Sequence, residues 1–152
     1  MSRASRGPFG DGRIGRAGVV LVEGERVALI RRVRDGRTYY LFPGGGVHPD
    51  ESFEDAAIRE AREELGLEVE LEGHVHTEQY LGLDMRYFGA RSVGGGFGTG
   101  RGEELRTSGR TRKGTYEAVW LPLAELTLRD VRPRALASLV LRREVGRRGG
   151  DD

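Results

Sequence analysis

The stretch from Ser52 to Gly66, "SFEDAAIREAREELG", constrains the fold more than any other part of the chain. Ser52 is a good helix N-cap, with Asp55 three residues on as its capping-box partner. Gly66 stands where a helix end favours a left-handed residue. Ala57, Ile58, Ala61 and Leu65 form an apolar stripe, so that side of the helix lies against other structure. Glu60, Glu63 and Glu64 fall elsewhere on the helix, within an arc of roughly 100° at about 100° per residue. Like charges three and four apart destabilise an isolated helix by roughly 0.2–0.5 kcal/mol per pair. Something must offset that repulsion.

Strand patterns surround the helix. "AGVVLV" (17–22) and "RVALIRRV" (26–33), separated by "EGE", read as a hairpin. "TYYLFP" (38–43) is a short extended piece, stopped by Pro43 and the flexible "GGG" at 44–46. Beyond the helix, "LEVELEG" (67–73) alternates, "HVHTEQYLGL" (74–83) does so less cleanly, and "MRYFGARSV" (85–93) is a further strand. A glycine-rich, basic segment at 94–114 then interrupts the pattern and is too long for an ordinary connection, so it is either functional or disordered. "TYEAVWLPL" (115–123) is a last strand, and "RPRALASLVLRREV" (132–145) a closing helix begun near Pro133. This order predicts an α+β fold with a mixed central β-sheet sandwiched by helices.

A length of 152 residues suits one domain. Its expected limits are 15–146, with a flexible N-terminal arm at 1–14 and a flexible tail at 147–152. The absence of cysteine excludes a disulfide scaffold, a thiolate zinc site and a thiol nucleophile. A net charge of +1 argues against a polymer binder, so nucleic acid is not an expected partner. All the basic residues but Lys113 are arginine, in keeping with a GC-rich genome. No apolar stretch approaches the length of a membrane span, and the N-terminus lacks the apolar segment of a secretion signal. A cytoplasmic protein, monomeric or homodimeric and without a membrane partner, is expected.

Clustered carboxylates offset their repulsion when they bind divalent cations, and Mg²⁺ or Mn²⁺ prefers oxygen ligands shared with substrate phosphates. The loop "PGGGVHPDE" just before the helix brings backbone N–H and C=O groups close to the same volume. A phosphoryl-transfer site needs this combination. A solvated acidic helix face has the same spacing, which does not by itself separate the two readings.

Gly45 to Leu67 resembles the Nudix box, G-x5-E-x7-R-E-U-x-E-E-x-G-U, with U a bulky aliphatic residue. Gly45, Glu51, Arg59, Glu60, Glu63, Glu64, Gly66 and Leu67 match in type and spacing, and Ala61 fills the first U with a smaller side chain than usual. The box covers 23 residues, and the order of elements around it, including "YEAVWLPLAEL", is also similar to the family. The resemblance implies the Nudix α/β/α sandwich and hydrolysis of a nucleoside diphosphate linked to a group X, with Mg²⁺ or Mn²⁺ as cofactor. It implies that Glu60, Glu63, Glu64 and the Gly44 carbonyl hold metal, and that Glu60 or a distant loop glutamate is the base. Glu51 and Arg59 would pair to fix the loop on the helix. His48 stands where many members carry glutamate; it either weakens the metal site, adds pH dependence or simply faces solvent.

Glu103, Glu104 and Glu117 are the candidates for the distant carboxylate, with Glu104 preferred because a loop carboxylate can swing in on substrate binding. Arg106, Arg110 and Arg112, near Lys113, either grip a terminal phosphate or belong to a solvated loop. Tyr80, Tyr87, Phe88 and Phe97 are either base-stacking or core residues, with Tyr87 carried forward as a substrate contact. His74 and His76 share a strand face but lack a third zinc ligand.

Members hydrolysing ADP-ribose tend to carry proline 15 to 18 places beyond the box, and those hydrolysing diadenosine polyphosphates a tyrosine. Gly82, Leu83, Asp84 and Met85 show neither. By elimination, a (deoxy)nucleoside triphosphate or small nucleotide derivative is the expected substrate. The alternatives are a catalytically weak nucleotide-sensing module and an RNA 5′-end pyrophosphohydrolase.

Overall fold

The computed structural model of the chain describes residues 12–100 and 114–150. In chain order these form β1 (Arg16–Glu23), β2 (Arg26–Arg34), β3 (Arg37–Leu41), β4 (Gly44–Gly46) and α1 (Phe53–Leu65). Then come β5 (Leu67–Tyr80), β6 (Leu83–Gly95), β7 (Thr115–Pro122), a single 3-10 turn (Leu123–Glu125), β8 (Val131–Arg132) and α2 (Arg134–Gly150).

The strands fall into two halves. One has the order β4-β1-β6-β5, the other β7-β2-β3-β8. They join through the β1–β2 hairpin, whose pairing is confined to Val22 opposite Val27 and Glu23 opposite Arg26. β1 runs parallel to β6 and β3 parallel to β8, while the other pairings are antiparallel, so the sheet is mixed.

Helices cover both faces, which explains why β1 and β2 read as nearly continuous apolar runs. Side chains alternate across a strand. Ala17, Val19, Leu21, Ala28 and Ile30 point to a core under α1, where Ala56, Ala57, Ala61 and Leu65 meet them. Val20, Val27 and Leu29 point the other way, to a core with Phe42, Tyr87 and the α2 residues Leu136, Ala137 and Val140. The chain therefore has the expected α+β fold, a mixed sheet between two helices. No helix among the described residues is long and apolar enough to cross a membrane.

Several local expectations are corrected. Gly44–Gly46 is not a flexible linker but a buried strand, paired with β1 from Arg16 opposite Gly46 to Gly18 opposite Gly44. The glycines are there for proximity: a Cβ on Gly44 would stand 2.6 Å from the Ala17 carbonyl oxygen. The two strands read at 67–83 are one strand, β5, as far as Tyr80, because bulges near Val69, Gly73 and His76 absorb the breaks in alternation, and Leu83 already opens β6. Residues 94–100 of the glycine-rich segment are not free loop. Gly94 and Gly95 end β6, the Gly96 N–H donates to the Gly66 carbonyl and the Gly98 N–H to the Leu65 carbonyl. The orphan carbonyls at the end of α1 draw this segment in. Ile14 is held by its N–H to the Val47 carbonyl and packs against the α1 core, although the arm was expected to run to residue 14. α2 continues to Gly150, past the expected start of the tail, with an Arg147–Glu144 pair in its last turns.

Candidate functional site

α1 begins and ends as its sequence dictates. The Ser52 hydroxyl accepts from the Asp55 N–H at 3.0 Å, and Gly66 closes the helix at φ 79° with its N–H on the Arg62 carbonyl. This fixes the rotation of the helix, and with it the direction of the glutamates. Glu60 and Glu64 do not face solvent but are 8% and 6% exposed, turned toward β4. The Glu63 side chain is 44% exposed.

Arg59 offsets much of the repulsion. Its Nη2 and Nε donate to the Glu51 carboxylate at 2.6 and 3.2 Å, and Nη2 also reaches the Gly46 carbonyl at 2.9 Å. Nη1 donates to Glu60 at 2.8 Å and to Glu63 at 3.3 Å. One guanidinium thus ties loop, strand β4 and helix together. The Arg59 hydrogen bond holds the Glu51 carboxyl below its ordinary pKa, and Glu51 in return pushes the arginine further up. The His48 N–H also donates to Glu51, at 3.0 Å, while the His48 side chain is exposed.

Glu64 is held differently: its Oε1 accepts from the Gly44 N–H at 2.6 Å. The Gly44 carbonyl in turn accepts from Arg16 Nη2 at 3.0 Å. Gly45 lies so close to Glu60 that any Cβ would overlap its carboxylate. Gly44, Gly45, Glu51, Arg59, Glu60, Glu63 and Glu64 are thus gathered at one seam between α1 and β4, whereas Gly66 stands apart at the end of the helix, beside Gly96.

The donor chemistry of this seam suits Mg²⁺ or Mn²⁺. It is all oxygen, carries four carboxylates against the one guanidinium of Arg59, and already has a cationic group, Arg16, on its backbone carbonyl. As placed, however, no three acidic or imidazole groups among the described residues converge into a metal-sized cluster.

Beside the seam, between the ends of the two half-sheets, lies a cleft of about 470 Å³. Gly15 and Arg16 on β1 border it, with Phe42 and Arg132 on one wall and Tyr80, Leu83 and Met85 on the other. Tyr87 also lines it but is only 3% exposed, packed edge-on against Phe42 with ring centroids 6.3 Å apart. Burial pushes its phenol pKa up, partly offset by the neighbouring Arg16. This tyrosine is part of the cleft's foundation and offers no open face for a base, whereas Tyr80, 53% exposed, does.

Other candidates separate. Phe88 is buried under α1, and Phe97 stacks on Trp120 at 4.6 Å. His74 contacts Thr77, and His76 contacts Glu78. Glu117 is 63% exposed, pairs with Arg31, and alternates with Tyr116, Ala118 and Trp120, which face the α1 core; it points to the opposite side of the sheet from the glutamates. Glu103, Glu104, Arg106, Arg110 and Arg112 lie outside the described residues. Arg16, Phe42 and Arg132 were not singled out from sequence. Arg16 stands at the edge of the expected arm, and its only signal is a charge directly before an apolar strand.

Residues 12–140 match the profile of the NUDIX domain. An RNA pyrophosphohydrolase of Teredinibacter turnerae is 43% identical over 61 residues, which span 40% of this chain and 35% of that protein. The chain thus covers about a third of that relative's length. A NUDIX hydrolase from Nitrosomonas europaea superposes with a TM-score of 0.66 at 18% identity, over 88% of this chain and 90% of that one. An ADP-ribose pyrophosphatase from Streptococcus suis gives 0.60 at 19% identity, over 85% and 90%. At such identities these two structures speak for the fold alone.

Proposed function

Because the chain belongs to the NUDIX hydrolase family, whose members act on pyrophosphate bonds, we propose that it cleaves a nucleoside diphosphate linked to a group X in a metal-dependent reaction. The favoured substrate is a (deoxy)nucleoside triphosphate or small nucleotide derivative. The observation that carries this reading is that one side chain, Arg16, touches both seam and cleft. Arg16 lines the cleft and donates to the Gly44 carbonyl, while Glu64 accepts from the N–H of the same residue. A diphosphate held at the seam would meet Arg16, the side chain that borders the cleft proposed to take the organic group. Leu83, Asp84 and Met85, in the region where family subclasses differ, line that cleft.

In this mechanism Glu60, Glu63, Glu64 and the Gly44 carbonyl would hold Mg²⁺ or Mn²⁺. The chemistry such a cation supplies is neutralisation of the pyrophosphate and activation of water. Arg59 and Glu51 keep the loop on the helix so that the carboxylates stay aligned. Tyr80 stacks on the base, while Phe42, buried against Tyr87, forms the floor of the cleft with it. Glu104 is the base, and Arg106, Arg110 and Arg112 hold the outer phosphate.

The test is a screen of nucleotides with Mg²⁺ or Mn²⁺, with release of phosphate and of pyrophosphate measured separately. Turnover that stops in excess chelator is expected; full turnover in chelator rejects the metal-dependent reading. Similarity to the RNA pyrophosphohydrolase favours a second reading, in which the substrate is a triphosphorylated RNA 5′ end. Short triphosphorylated RNA would then compete with mononucleotides, more weakly as salt rises.

A further inference from the structure

Arg16 occupies a position that the box does not account for. Its guanidinium donates to the Gly44 carbonyl at 3.0 Å, sits beside the buried Tyr87 phenol, and borders the cleft. Gly44 is held from the other side by Glu64 through a 2.6 Å hydrogen bond to its N–H. A backbone carbonyl in a paired strand has a fixed direction; the β1–β4 ladder runs from Arg16 opposite Gly46 to Gly18 opposite Gly44, and the Val19 N–H on the Pro43 carbonyl and the Val47 N–H on the Gly15 carbonyl extend it at both ends. The carbonyl oxygen therefore cannot turn away from the guanidinium; the side chain must give way if another cation is to use that oxygen.

We propose that Arg16 is a positioning residue that acts as a resident cation at the Gly44 carbonyl, in direct competition with the divalent metal. The proposal rests on the metal-dependent reading above. Its chemistry is simple exchange: a guanidinium and a divalent cation cannot share one carbonyl oxygen without strong repulsion. Once displaced, the same guanidinium remains beside the cleft. It is then free to meet the phosphate nearest the organic group, a contact for which its planar fork is suited. Entry of metal at the seam and of an anion at the cleft mouth would thus favour each other.

The experiment is Mn²⁺ binding to the nucleotide-free protein, followed by electron paramagnetic resonance, for wild type, Arg16→Gln and Arg62→Gln. Arg62 lies on the same helix as Glu63 but pairs with Glu68 and does not touch Gly44, so its variant controls for loss of charge alone. The expected result is Mn²⁺ bound about tenfold more tightly by Arg16→Gln, with a change under about twofold for the exposed, screened Arg62→Gln. Mere structural damage would weaken binding, so the direction of the change is diagnostic. Wild-type binding that Arg16→Gln leaves unchanged or weaker, or equal gains in both variants, overturns this inference while the metal reading stands. Absence of Mn²⁺ binding to every variant overturns both. If Arg16→Gln does not fold, Arg16→Lys replaces it, since a flexible ammonium holds the carbonyl less firmly. A smaller gain is then expected, and no gain overturns the proposal.

Discussion

At the residue scale, the site depends on atoms that are absent as much as on those present. Gly45 leaves room for the Glu60 carboxylate that any β-carbon would occupy. Gly45→Ala should therefore displace Glu60 or separate β4 from α1, destabilising the protein by about 1–3 kcal/mol in urea denaturation and reducing turnover with it. Arg59 makes the opposite contribution. Arg59→Ala removes the ion pairs that Arg59 makes with Glu51 and Glu60 in a largely buried setting, and a loss on the order of 2–3 kcal/mol is expected at pH 7. Because the folded-state pKa of Glu51 is depressed, its share is fully present above the ordinary value of 4.5 and is lost as pH falls through the lower folded value. The stability gap between wild type and Arg59→Ala should thus narrow below about pH 4.5; a gap independent of pH in this window would assign the stabilisation to packing. The glutamate cluster was legible from its spacing, and the Glu51–Arg59 pair from the resemblance to the Nudix box. Arg16 was not, because nothing in a linear pattern tells which carbonyl a lone arginine meets.

At the element scale, α1 was the most legible part of the chain, since Ser52 and Gly66 mark its ends through local chemistry. Its surroundings were less so. Three consecutive glycines read as flexibility, yet β4 is a strand whose glycines allow close approach, a property decided by distant partners such as Ala17. The bulged β5 looked like two strands because alternation was the only guide to it. The capping of α1 by Gly96 and Gly98 depends on tertiary placement and leaves no periodic mark. Gly66 is also where that placement can be tested. A side chain there would meet the Gly96 carbonyl at 2.6 Å in addition to the strain of φ 79°. Gly66→Ala should cost more than the roughly 1 kcal/mol of a simple left-handed substitution. It should also increase hydrogen exchange at the Gly96 and Gly98 amides; unchanged exchange there would separate the cap from this glycine.

At the scale of the whole molecule, the two cores share walls. β1 and β2 send alternate side chains into each, so neither core can melt and leave the other intact. Leu136→Ala, fully buried in the α2 core, should cost about 2–5 kcal/mol. Unfolding should nevertheless remain a single transition, with far-ultraviolet circular dichroism and exchange of the β1 amides reporting the same midpoint. Two separated midpoints would show the cores to be independent. The chain's sole tryptophan lies within this shared framework. Trp120 is stacked on Phe97, in the segment that closes the end of the glutamate helix, and carries the Arg26 guanidinium 4.5 Å from its ring. The protein is therefore born with its own optical label. Any ligand that shifts the end of α1 alters the polarity around one indole, and its emission spectrum can be followed in unmodified protein, at low concentration and in real time.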